Sequence, residues 1–130
     1  MTLPYDTLLR SNCTQMIQIK RAYAPAARGD GKRFLVERLW PRGIRKTDLP
    51  LSDWIRDVAP STELRQWFGH DPDKWREFKT RYFAELREHP DAVASLLSAA
   101  RRGTITLIYS AHDEEHNAAV ALREYLNRRV

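Results

Sequence analysis

The sequence predicts a small α/β domain of three-layer type, with a short, mainly parallel sheet flanked by helices. Three observations point to it. The continuous apolar run Phe34-Leu35-Val36 suits a strand buried on both faces. Thr104–Tyr109 (T-I-T-L-I-Y) is the best strand pattern in the chain, set between two helical patterns, and a helix–strand–helix order argues for a βαβ-type arrangement. A length of 130 residues and a mass of 15.2 kDa allow one domain with one real core.

The elements follow in order. Residues 1–15 lack periodicity and read as an N-terminal extension ahead of a single domain over 16–130. Ile17 and Ile19 alternate with polar residues, as in a half-buried strand. Ala24–Lys32 is a loop, with Pro25, Gly29 and Asp30-Gly31 supplying turn chemistry. After the Phe34–Val36 strand, Pro41 and Gly43 end the extended segment. Leu51–Ala59 and Thr62–Phe68 are expected as short helices, capped by Ser52 and Ser61. The second start lacks the reciprocal acid of a capping box.

A longer helix is expected over Asp71–Glu88. Asp71 caps it, Pro72 takes the first position, and Trp75, Phe78, Tyr82 and Leu86 recur at spacings of three and four. Pro90 breaks it and Asp91 opens another helix, with Val93, Leu96, Leu97 and Ala100 as its buried stripe and Gly103 as its stop. Beyond the last strand, Asp113 is expected to cap a final helix that buries Ala118, Leu122, Tyr125 and Leu126.

Charge narrows the function classes. The net charge is +5, but residues 20–46 alone carry +7, from nine basic residues against Asp30 and Glu37. This stretch is either a footprint for phosphate, nucleic acid or an acidic small molecule, or a solvated arginine-rich surface. No apolar run reaches the roughly 20 residues of a membrane span. The start has no basic region and reads as a poor signal peptide, so a cytoplasmic location is the expectation. The single cysteine, Cys13, leaves no intramolecular disulfide and no cysteine-based zinc cluster, and its unpatterned surroundings make a poor place for a nucleophile.

Three segments carry candidate chemistry. In Arg38-Leu-Trp-Pro-Arg42-Gly, two guanidiniums flank a proline-stiffened turn at a strand's carboxyl end, where α/β pockets lie. They either converge on an anion or pair with Glu37 or Asp48, with Trp40 as stacking platform or core. In Ser110–Asn117, His112 and His116 stand four apart beside Asp113, a spacing that can hold a divalent ion but is equally explained by capping and packing. The expectation is no metal and no cofactor. Glu114 and Glu115, placed in the first helical turn, would repel a bound anion, leaving the arginines as its charge partner and His116 or Asn117 as contributors. His70, left over from the turn Gly69–Pro72, is a candidate proton-transfer group.

The segments R-L-W-P-R-G-I, W-F-G-H-D-P-D-K-W-R-E-F-K-T-R-Y and L-I-Y-S-A-H-D-E-E-H-N-A-A-V-A-L resemble the DUF488 family, in its short YeaO-like branch, over about residues 16 to 127. The resemblance implies a compact bacterial α/β domain and little assigned chemistry. It implies an Arg-x-x-Pro-Arg turn after a strand, matched by Arg38, Pro41 and Arg42. It also implies a Cys-His-Arg segment after a second strand, where Glu115-His116-Asn117 keeps only the histidine.

Together these readings lead to a protein that binds or acts on an anionic small molecule, phosphorylated or nucleotide-like. Arg38, Trp40, Arg42 and Asn117 would bind it, and His116, Asp113 and His70 would supply proton chemistry or support. A nucleic-acid-binding protein using residues 20–46, or a ligand-free interaction module, are the alternatives.

Overall fold

Four parallel strands form one sheet, ordered β1-β4-β2-β3, in the computed structural model of the chain, which describes residues 17–130. The strands are β1 (Ile17–Arg21), β2 (Lys32–Leu35), β3 (Asp53–Trp54) and β4 (Ile105–Tyr109). The expected extension over 1–15, with Cys13, lies outside the described residues. β4 pairs with β1 from Ile17↔Ile105 to Arg21↔Tyr109, and with β2 from Lys32↔Ile105 to Leu35↔Ile108. Strands on both sides and cover on both faces explain why all five β4 residues are buried.

Alternation along the strands sorts two cores. Ile17, Phe34, Ile105, Leu107 and Tyr109 belong to the larger one, filled from four helices: α1 (Thr62–Phe68), α2 (Trp75–Leu86), α3 (Pro90–Arg102) and α4 (Ala118–Asn127). Phe78, Tyr82, Leu86, Leu96, Leu122 and Leu126 are its large, fully buried helical members. Ala22, Leu35 and Ile108 belong to a smaller core, closed by Leu49 and the half-buried Trp40, Ile44, Leu51 and Trp54. Irregular chain between β2 and β3 therefore supplies the third layer on that side. No helix among the described residues is long and apolar enough to cross a membrane.

Residues 51–59 correct the sequence reading. They form β3 and a 3₁₀ turn at Arg56–Val58 rather than a helix. The edge of β2 captures the backbone: Ser52 N donates to Arg33 O at 2.7 Å and Ile55 N to Leu35 O at 2.9 Å. Trp54 Nε1 donates to Glu37 O at 2.6 Å while its ring meets Trp40 edge-on at 5.5 Å. Tertiary pairing outweighs a short helical pattern here.

At α1 the missing capping-box acid comes from elsewhere. Ser61 Oγ accepts from Leu64 N at 3.1 Å, and Glu85 of α2 accepts from both Ser61 N (2.8 Å) and Ser61 Oγ (2.6 Å). The helix expected over 71–88 is split into a 3₁₀ turn, Pro72–Lys74, capped by Asp71, and α2 itself. Pro90 occupies the first turn of α3 instead of standing before it.

The β1–β2 connection is tied by a buried acid. Asp30 accepts from Lys20 Nζ at 2.7 Å, Arg33 Nη1 at 2.5 Å and Ala27 N at 3.0 Å, and its own carbonyl accepts from Thr106 Oγ1 at 2.7 Å. Burial alone would raise the Asp30 carboxyl, yet Lys20, the Ala27 amide and Arg33 together hold it below its ordinary range. Of the nine basic residues in 20–46, Lys20 and Arg33 are thus committed to the fold. Arg45 pairs with Asp48 at 3.0 Å, and Arg21 donates to Ala111 O and Ser110 O at 2.9 and 3.2 Å.

Candidate functional site

A cavity of about 980 Å³ opens beyond the carboxyl ends of β2 and β4, lined by the turns that leave those strands and by α1 and the start of α4. All seven residues singled out from sequence line it: Arg38, Trp40, Arg42, His70, Asp113, His116 and Asn117. Arg38 and Arg42 are exposed, and neither forms an ion pair among the described residues. Asp48, one of their anticipated partners, is taken by Arg45. The Arg42 carbonyl accepts from Tyr23 Oη at 2.9 Å, which ties the turn to the end of β1.

Trp40 is half-buried, donates Nε1 to Ile44 O at 2.6 Å and packs in the smaller core, so it braces the wall from which the arginines project. His70 follows the left-handed Gly69 and is itself left-handed, at φ 57°. A non-glycine residue is strained there, although histidine tolerates the region better than most.

The turn after β4 is organised around Asp113. Its Oδ1 accepts from the amides of Glu115 (2.9 Å) and His116 (3.0 Å), and Oδ2 lies 3.0 Å from His116 Nδ1. Hydrogen bonds from the Glu115 amide, then from His116, hold the Asp113 carboxyl below its ordinary value. Trp75 meets the His116 ring edge-on at 5.4 Å, so the imidazole is fixed between a carboxylate and an aromatic edge. The other ring nitrogen, Nε2, has no hydrogen-bond partner among the described residues.

Here too the structure corrects an expectation. The N-cap of α4 is Asn117, not Asp113: Asn117 Oδ1 accepts from Val120 N at 3.0 Å and Nδ2 donates to Asp113 O at 2.9 Å. The amide of Asn117 is therefore engaged in the turn. Glu114 and Glu115 fall before the helix, and the first turn of α4 holds no acid. Ala118 and Ala119 of that turn line the cavity. No acid therefore stands in that first turn, although Asp113 lines the same cavity, and the first amides of a helix have no intrahelical acceptors.

Two charged lining residues, Glu37 and Arg65, stand outside the seven singled out from sequence. Glu37 lies between Val36 and Arg38, and its Oε1 is shielded from solvent without a hydrogen-bond partner among the described residues. Burial lifts its carboxyl above the ordinary glutamate range, against the pull of Ser110 and the Arg65 guanidinium. An acid directly after a buried apolar run was the available signal. Arg65, on α1, adds a third guanidinium to the lining and reads in sequence as an ordinary exposed helix charge. Among the described residues no group of three or more His, Cys, Asp or Glu side chains is arranged to hold a metal ion.

Comparison with known proteins bears on this arrangement. Residues 16–130 match a family described as the inactive DUF488-N3 subclade. The chain is 44% identical over 110 residues to the uncharacterized protein YeaO of Escherichia coli, covering 85% of this chain and 96% of that one. It is 38% identical over 113 residues to the uncharacterized protein Rv3073c of Mycobacterium tuberculosis, covering 87% and 95%. No solved structure matches.

Proposed function

Because this chain belongs to the DUF488 family and matches a subclade described as inactive, we propose that it is a binding domain for an anionic small molecule, phosphorylated or nucleotide-like. The observation that carries this reading is the shared cavity of Arg38, Arg42 and the acid-free first turn of α4. Guanidinium forks match phosphate oxygens bidentately, and a helix N-terminus adds unpaired amides and a favourable dipole. His116, held through Nδ1 by Asp113, offers Nε2 to the same ligand. The Glu115-His116-Asn117 segment has no thiol, which favours binding over thiol chemistry.

Calorimetric titration with pyrophosphate and AMP at low salt tests the reading. Each single variant, Arg38→Ala or Arg42→Ala, is expected to weaken binding about tenfold, and the double variant to abolish it. A double variant that keeps wild-type affinity for every anion the wild type binds would remove the proposal's support.

A further inference from the structure

Glu37 is an acid in a wall that also carries Arg38, Arg42 and Arg65, with Asp113 already engaged by His116 and the turn amides. Its backbone is fixed: Trp54 Nε1 donates to Glu37 O at 2.6 Å, and the preceding amide of Val36 donates to Ile108 O at 3.2 Å. The side chain therefore leaves a rigid strand end. Ser110, at the end of β4, and Arg65, on α1, are polar groups that face it, yet Oε1 remains shielded and without a hydrogen-bond partner among the described residues. A desolvated carboxylate oxygen without a donor is costly, and a folded protein rarely keeps one without use.

The neighbours restrict what satisfies it. A metal ion would need further acidic or histidine ligands, which the described residues do not assemble here. A cationic ligand group would face Arg38, Arg42 and Arg65 in the same cavity. What remains is a neutral N–H or O–H donor. We infer that Glu37 Oε1 accepts a hydrogen bond from a hydroxyl or amino group of the ligand whose anionic group Arg38 and Arg42 hold, making Glu37 the specificity residue of the site. This rests on the anion-binding reading and narrows the ligand to a sugar phosphate or nucleotide class, as opposed to a bare inorganic anion.

The test compares wild type with Glu37→Leu, which keeps bulk and removes the acceptor. The titrants are pyrophosphate, ribose 5-phosphate, AMP and adenosine. The wild type is expected to prefer ribose 5-phosphate or AMP to pyrophosphate, and Glu37→Leu to cut that preference at least about tenfold. Pyrophosphate affinity itself should hold or rise, because a negative charge has left the cavity. Loss with ribose 5-phosphate assigns the donor to a sugar hydroxyl; loss with AMP alone assigns it to the base amine. Should Glu37→Leu fail to fold, Glu37→Gln serves, with a smaller loss of about threefold, since a neutral acceptor remains.

A preference that both variants leave unchanged, or a wild type without any preference, overturns the assignment even if pyrophosphate binds. Conversely, a wild type that ignores pyrophosphate but binds adenosine in a Glu37-dependent way refutes the anion reading and upholds the role of Glu37.

Discussion

The carboxylate of Asp113 holds His116 from two directions, accepting from its amide at 3.0 Å through Oδ1 and meeting its ring Nδ1 at 3.0 Å through Oδ2. Backbone and side chain of the histidine are thereby set by one acid, on a turn that Arg21 also anchors through the carbonyls of Ser110 and Ala111. The orientation of the His116 ring at the cavity wall depends on this pair.

Asp113→Asn tests it by acid titration. The Asp113 carboxyl is held below its ordinary 3.8 in the folded protein. Its contribution to stability is therefore complete above that value and is lost as pH falls through the lowered folded value. Melting temperature followed into the acid range should fall less steeply for Asp113→Asn than for wild type. The same variant should weaken anion binding about two- to tenfold at neutral pH, by loosening His116. Superimposable acid profiles would show that the pair does not form.

Asp30 provides a prediction on stability alone. Arg33 and Asp30 have side chains only 7% and 4% exposed, so removing the acid strands a buried guanidinium. Asp30→Ala should cost about 3–5 kcal/mol in urea denaturation. The double variant Asp30→Ala/Arg33→Met, which removes both charges, should recover most of that loss. A single variant within about 0.5 kcal/mol of wild type would mean that the network contributes nothing.

His70 separates stability from binding. Its left-handed backbone is strained for any side chain, and glycine relieves that strain while adding freedom to the unfolded chain. His70→Gly should be as stable as wild type or more so, by up to about 1 kcal/mol. Ligand affinity should drop about two- to fivefold if the imidazole touches the ligand from the cavity wall. A destabilised His70→Gly would instead give the ring a packing role against Phe68, whose ring centroid lies 6.4 Å away.

Much of the molecule was legible one residue at a time. The buried strands β2 and β4 are dense apolar runs, Ser61 and Asp71 are caps, and the stripe Phe78, Tyr82, Leu86 repeats with the helix. These signals are local, because backbone propensity and burial periodicity act over a few residues. The arginine turn and the His116 turn were likewise placed at strand ends by order alone, and both line the cavity.

Other features depended on what the chain meets in space. Leu51–Ala59 carries a helical pattern, but the free edge of β2 takes its backbone donors and makes β3. Asp113 and Asn117 are both competent caps by residue type; only the hydrogen bonds of the folded turn gave the helix to Asn117 and moved Glu114 and Glu115 out of its first turn. Glu37 shows the same limit, since the burial that shields its Oε1, without a hydrogen-bond partner among the described residues, comes only with folding. Sequence by itself determined which residues could form strands, helices and an arginine-bearing turn at a strand end. Tertiary structure decided which polar groups are satisfied, because satisfaction depends on partners that the chain brings together only on folding.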